Sequence, residues 1–368
     1  MARTRVFLVV PSLAPGGSET VLLRLAACLD RERFEPEVVA LAGAGPLAAE
    51  LPPDVPLHDL AAGRVAAALP KFIRLARRRR PGVILSFQMH TNLALLLARP
   101  LLPRRVRIVA REESMPSRSC AESPLPRLFG LLMRRLYPKA QAVITQCEAA
   151  AEELTSHYGV PEDMIRAIPN PVDIQDMRKR ARAEMTQAEL PPAPRIVFVG
   201  RLAAVKRVDV ILEAVARMRR RASLVVVGGG SEDTTRSLKD RAASLGMADR
   251  VLFTGHQPNP FPYVGHADLL ALASLREGFN LAVLEARALG VPAVVPAAPG
   301  CLPEMISHGT NGFLAPFFED SERQADALAA TLDHALEALA GNPDALDMDA
   351  GSGRWSLEAV CRAHEELL

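Results

Sequence analysis

The chain has 368 residues, enough for about two domains, and 49% of them are hydrophobic, so each domain can bury a core. Five cysteines (Cys28, Cys120, Cys147, Cys301, Cys361) are scattered without C-x-x-C spacing, which speaks for a reducing cytosol and against a disulfide framework or a zinc site. Net charge is +2, no apolar run approaches the ~18 residues of a membrane span, and Pro11 cuts short the apolar start, so neither a span nor a signal peptide is expected.

In chain order, residues 5–11 read as a first strand, followed by a loop with Gly16 and Gly17 and a helix over 19–29. A glycine pair before a helix start lets a phosphate or substrate approach closely, although many such turns are purely structural. Strands follow at 37–42 and 83–87, the second leading into Gln88-Met89-His90-Thr91-Asn92 and a helix to 98. His90 is thus placed at the carboxyl end of a strand, where parallel sheets bind ligands. A strand at 107–110 leads into Arg111-Glu112-Glu113-Ser114, and 125–137 is an amphipathic helix carrying Arg127, Arg134 and Arg135. Residues 61–140 hold 17 Lys or Arg against three acids, with Arg77 to Arg80 unbroken, while the remainder is net acidic. That asymmetry suits an anionic surface such as a membrane leaflet, against the plainer reading of a solvated basic face, and no nucleic acid is expected.

Strands at 142–145 and 165–168 close the first domain, ending in Pro169-Asn170-Pro171-Val172-Asp173. Residues 174–194 mix a charged helix with a proline-marked linker. The expected domains are therefore 1–175 and 190–345, with a last helix at 355–368. The second domain opens with a strand at 196–199, then Gly200-Arg201-Leu202 and Lys206, two cations able to neutralise a diphosphate. A strand at 224–227 precedes Gly228-Gly229-Gly230, but the third glycine of a dinucleotide fingerprint would fall on Asp233. Another strand spans 251–255.

Residues 267–297 form one strand–helix–strand unit. The first strand ends at Arg276-Glu277-Gly278, Leu281, Leu284 and Ala288 make one helical stripe, and Gly290 and Pro292 stop the helix. Glu277 stands at the strand's carboxyl end, Gly278 admits a ligand, and the helix amides of Phe279, Asn280 and Leu281 suit an anion. Glu285, eight residues on, lies roughly 12 Å from Glu277 if the stretch is helical. Hydrolase carboxylate pairs sit ~5 to 9.5 Å apart. The wider spacing suits two carboxylates holding different hydroxyls of one long ligand. Asp347-Met348-Asp349 matches a D-x-D metal pattern but lies far in sequence from these motifs.

The pattern S-x-x-EGF-N-x-x-x-x-EA-x-A-x-G-x-P, with Gly-Arg-Leu-x-x-x-Lys and Pro-Asn-Pro-Val-Asp, resembles the family-4 retaining glycosyltransferases. The resemblance implies an α/β GT-B fold: two Rossmann-like doubly wound domains facing across a cleft, with the C-terminal helix crossing back to the first. It implies transfer of a sugar from a nucleotide-sugar, UDP-linked by expectation, with Arg201 and Lys206 on the diphosphate, Glu277 on the sugar and Glu285 on the ribose. Gly16 and Gly17 would lie between donor phosphates and acceptor. His90 and Glu112 are candidate catalytic residues, Glu112 standing in a loop where many members carry a histidine. No metal or other cofactor is expected, since the cations can do the electrostatic work. The expected acceptor is lipid-linked or a saccharide in envelope or exopolysaccharide assembly, which would make the enzyme cytoplasmic and peripheral on the inner membrane face. The alternatives are a soluble small-molecule acceptor and a nucleotide-sugar-binding regulator without turnover.

Overall fold

Unbroken runs of small and β-branched apolar residues, such as Val6 to Val10 and Ile196 to Phe198, are fully buried and form the central strands of parallel sheets. The computed structural model describes residues 3–183, 190–342, 346–349 and 351–368. Residues 184–189 of the expected linker and 343–345 at the end of the expected second domain lie outside the described residues. The chain divides into two units, Met1–Pro171 with Arg354–Leu368, and Val172–Gly353.

The first unit holds β1 (Thr4–Ser12), β2 (Phe34–Gly43), β3 (Leu57–Asp59), β4 (Val83–Phe87), β5 (Arg107–Arg111), β6 (Ala142–Thr145) and β7 (Ile165–Ala167). Their order is β3-β2-β1-β4-β5-β6-β7, and every pairing is parallel. Strand alternation supplies two apolar faces. Phe7, Val9 and Ile84 pack with Phe72, Leu96 and Tyr137 on one side. Val6, Leu8, Val10 and Leu85 pack with Leu22, Leu25, Val360 and Cys361 on the other. The C-terminal helix Leu357–Glu365 thus belongs to the first unit, as expected. Cys28 and Cys361 are joined by a disulfide, Cα to Cα 6.2 Å, which corrects the expectation that the scattered cysteines form none. Spacing could not show this, because the partners are 333 residues apart and meet only through the fold.

The second unit holds β8 (Arg195–Val199), β9 (Ser223–Val227), β10 (Val251–Gly255), β11 (Leu269–Ala271), β12 (Ala293–Pro296) and β13 (Gly312–Ala315), ordered β10-β9-β8-β11-β12-β13 and parallel throughout. Its first helix, Ile174–Ala181, buries Met177 and sends Arg178 Nε to Ala288 O at 3.1 Å. The strand order reverses between β1 and β4 in the first unit and between β8 and β11 in the second. At such switch points the loops part and leave a crevice at the carboxyl ends of the strands.

Candidate active site

At the second unit's switch point the chain leaves β8 through Gly200, at φ 156°, and passes Arg201 into a tight turn, Ala204–Lys206. It leaves β11 through buried Ser274 and reaches Glu277, which pairs by a parallel bridge with Gly300. Leu275 N donates to Val205 O at 3.2 Å, so the two loops are laced together by backbone. The lacing brings Lys206 Nζ to Glu277 Oε1 at 2.6 Å. Arg201 stays exposed and makes no ion pair among the described residues. Asn280 caps the helix Leu281–Ala288, its Oδ1 accepting from Val283 N at 3.3 Å. The cap takes one of the helix's free amides and leaves those nearer the terminus to a ligand. Glu285 sits half-buried on the same helix.

The triple glycine after β9 has a packing explanation. A Cβ on Gly228 would lie 1.8 Å from Gly200 O, and one on Gly230 would lie 2.7 Å from Leu202 Cβ. Leu202 N donates to Gly229 O at 2.9 Å. Two loop backbones therefore run in contact, and only glycine permits it. Asp347 and Asp349 sit in a local turn, with Asp349 N donating to Asp347 Oδ1 at 3.1 Å.

In the first unit Gly16 and Gly17 are exposed at the start of the helix Gly17–Cys28, and Gln88 stands beside them at the end of β4. His90 is also exposed, its ring 4.9 Å from that of Phe129. Glu112, by contrast, is buried. Only 1% of it is exposed, and its Oε1 accepts from the Tyr137 hydroxyl and from Asn92 Nδ2 at 3.1 Å. Burial raises its pKa to about 7, against the hydrogen bonds of Tyr137 and Asn92. Its Oε2 is buried without a hydrogen-bond partner among the described residues. No hydrogen bond joins it to His90 among the described residues.

Sequence reasoning passed over its neighbour. Arg111 is fully buried and binds Glu113 Oε1 at 2.9 Å, Ile168 O at 3.2 Å, Asn170 Oδ1 at 2.6 Å and His364 Nε2 at 3.1 Å. His364 Nδ1 donates to Val360 O, so Nε2 is the lone-pair nitrogen that accepts from Arg111. Burial and the guanidinium lower the His364 pKa to about 3. The only sequence signal was the arginine itself, ending an apolar strand.

These two doubly wound sheets, with their site loops at the switch points, define a GT-B glycosyltransferase fold. Residues 15–176 match the family model described as glycosyltransferase family 4, and 193–336 match that described as glycosyl transferases group 1. The chain belongs to this glycosyltransferase family. A D-inositol 3-phosphate glycosyltransferase of Actinosynnema mirum is 29% identical over 365 residues, covering 89% of this chain and 87% of that one. One of Saccharomonospora viridis is 34% identical, covering 56% of this chain and 51% of its own. The chain thus spans about half the length of some curated relatives it matches. The fold is shared with Anabaena Alr3699/HepE, solved with UDP and glucose, at TM-score 0.81, 21% identity and 99% coverage of both chains. It is also shared with the lipopolysaccharide outer core galactosyltransferase WaaB, at TM-score 0.72, 17% identity, and 99% and 98% coverage.

Proposed function

We propose that this chain moves a sugar from a UDP-sugar to a saccharide or lipid-linked acceptor in envelope glycan assembly, with retention at the anomeric carbon and without a metal. The observation that carries the reading is the Lys206–Glu277 pair at the second unit's switch point, with exposed Arg201 beside it. Lys206 has three N–H donors and spends one on Glu277, leaving two for a diphosphate. Arg201 adds a bidentate fork. Glu277 is anchored by the ammonium to meet a sugar hydroxyl, and Glu285 meets the ribose. The acceptor then attacks on the face the diphosphate leaves, and a donor phosphate oxygen takes its proton. HepE, solved with UDP and with UDP-glucose, supports the choice of uracil.

The acceptor assignment is supported by the surface of the first unit. Leu128 and Leu131 are exposed on the helix Pro126–Leu136, which also carries exposed Arg127 and Arg135, and Leu125 just before the helix, Leu97 and Leu101 are exposed as well. Such a face suits an anionic leaflet holding a lipid-linked acceptor at the inner membrane surface, with the enzyme cytoplasmic and peripheral. Among the described residues no helix is long and apolar enough to cross a membrane. A second reading, a small soluble acceptor, is favoured by the curated relatives, named for D-inositol 3-phosphate. The test is a thermal-shift screen of nucleotide-sugars followed by donor hydrolysis in excess chelator. A stabilising UDP-sugar that is then hydrolysed fits the proposal. No shift with any uridine donor, or turnover that only a divalent metal restores, overturns it.

A further inference from the structure

Cys28 is the last residue of the helix Gly17–Cys28, and Cys361 lies on the helix Leu357–Glu365. The two helices share a core, in which Val360, Cys361 and Leu368 are buried with Leu22, Leu25 and Leu29. Nine residues are too few for a helix to hold itself in water, so the order of Leu357–Glu365 depends on what it touches. Besides the disulfide, three polar contacts hold it. Glu365 accepts from Asp30 N at 2.8 Å and from Arg33 Nη1 at 3.0 Å. His364 Nε2 accepts from Arg111 Nη1 at 3.1 Å. These contacts keep the two cysteines facing each other whether or not the bond is closed.

The sulfurs are unequally shielded. Cys361 is 4% exposed, whereas Cys28 is half-buried. Cys28 Sγ is therefore the atom that an external thiolate reaches. When the bond opens, the Cys361 thiol has Glu365 Oε1 at 3.9 Å as an acceptor, so the reduced pair leaves no buried donor stranded. In a reducing compartment such a disulfide is transient and reports oxidation.

We propose that Cys28 and Cys361 form a redox-responsive clasp, a modification site for a glutathione-type thiol–disulfide couple, which sets how firmly the helix Leu357–Glu365 is held against Arg111. To close it, the Cys28 thiolate attacks the external disulfide, forms a mixed disulfide and expels one external thiolate. Cys361 then attacks Cys28 Sγ, forms the Cys28–Cys361 bond and expels the second external thiolate. The two protons of the protein thiols end on the two expelled thiolates, and the two electrons lost by the cysteines reduce the external disulfide. Opening is the reverse, with two external thiols. Arg111 also holds Glu113 Oε1 at 2.9 Å and Asn170 Oδ1 at 2.6 Å, so loosening of the helix passes to the loop after β5. The compartment rests on the cytoplasmic reading above; the test needs neither that reading nor a sugar donor.

The full chain is equilibrated in mixtures of oxidised and reduced glutathione, and peptide mass spectrometry follows the Cys28–Cys361 cross-link. The cross-link should form and open reversibly in the native protein. On reduction, the amides of residues 357–368 should exchange at least about tenfold faster, and those of 111–114 at least about threefold faster. Cys28→Ser in the oxidised mixture should exchange like the reduced wild type. No cross-link under oxidation, a cross-link that opens only in denaturant, or equal exchange in the two states overturns the proposal. So does a redox response of these amides that survives in Cys28→Ser, because it comes from another cysteine.

Discussion

Lys206 donates to Glu277 Oε1 at 2.6 Å, and the two side chains are only 21% and 6% exposed. They come from loops 71 residues apart in sequence that adjoin because β8 and β11 are neighbours. The pair is pre-organised: Glu277 is oriented before any sugar arrives, and the ammonium already stands at the crevice. Lys206→Met should lower kcat by about 100-fold, the effect of losing one electrostatic donor to the leaving group. It should also destabilise the second unit by about 2 kcal/mol, because Glu277 loses its partner in a nearly buried place. Steady-state kinetics in chelator and thermal unfolding read the two effects separately. A variant with wild-type turnover takes Lys206 out of the mechanism.

Glu285, the residue proposed to meet the ribose, is half-buried on the helix Leu281–Ala288. A hydrogen bond from a ribose hydroxyl to an ionised carboxylate contributes about 1.5 to 3 kcal/mol. Glu285→Gln should therefore weaken UDP binding roughly tenfold or more, measured by calorimetry with the free nucleotide. Unchanged affinity removes the residue from the site.

Glu112 makes stability depend on pH in an unusual direction. Its carboxyl titrates at about 7 in the folded chain, against the ordinary 4.5. Between those values the folded chain keeps a proton that the unfolded chain releases, so stability falls as pH rises from 4.5 to 7 and is level above. The loss is on the order of 3 kcal/mol. Glu112→Gln should remove this slope and be the more stable protein at pH 8. Denaturant unfolding across the range checks it. His364, lowered to about 3, acts oppositely and is common to both proteins, so the difference between them isolates Glu112. Parallel curves would mean that Glu112 is ionised throughout.

The arginine run at 77–80 is not uniformly available to a membrane. Arg79 Nε donates to Glu37 Oε2 at 3.1 Å, and Arg77 Nε donates to Leu101 O at 3.0 Å. Glu37 is 2% exposed and also holds His58 and Arg5, so replacing Arg79 would leave a buried carboxylate short of partners. Exposed Arg78, Arg80, Arg104 and Arg105 are the cations to remove. Changing them to serine should reduce sedimentation with anionic vesicles at least threefold, with no change in thermal unfolding. Leu128→Gln and Leu131→Gln should reduce it further. Binding that ignores both charge and leucines, or equal partitioning to neutral vesicles, favours the soluble acceptor.

The sequence by itself determined the alternation of strands and helices, because buried parallel strands are short, mostly apolar runs: Val83–Phe87 and Ala142–Thr145 fall where composition put them. It also singled out Lys206 and Glu277 as charged residues beside turn glycines at strand ends, and the fold brings the two together. The tertiary structure decided what those marks could not. Phe129 and Leu132 share a helix with Leu128 and Leu131, yet the first pair packs on the core and the second faces out, which depends on where the neighbouring helices lie. The sequence marked Glu112 as a candidate catalytic carboxylate, and only the fold shows it buried and hydrogen-bonded by Tyr137 and Asn92, distant in sequence. Cys28 and Cys361, Arg111 and His364, and Gln88 and Glu19 are likewise pairs that only the sheet order brings within bonding distance. Periodicity and capping act within a few residues, whereas these contacts depend on which strands lie side by side.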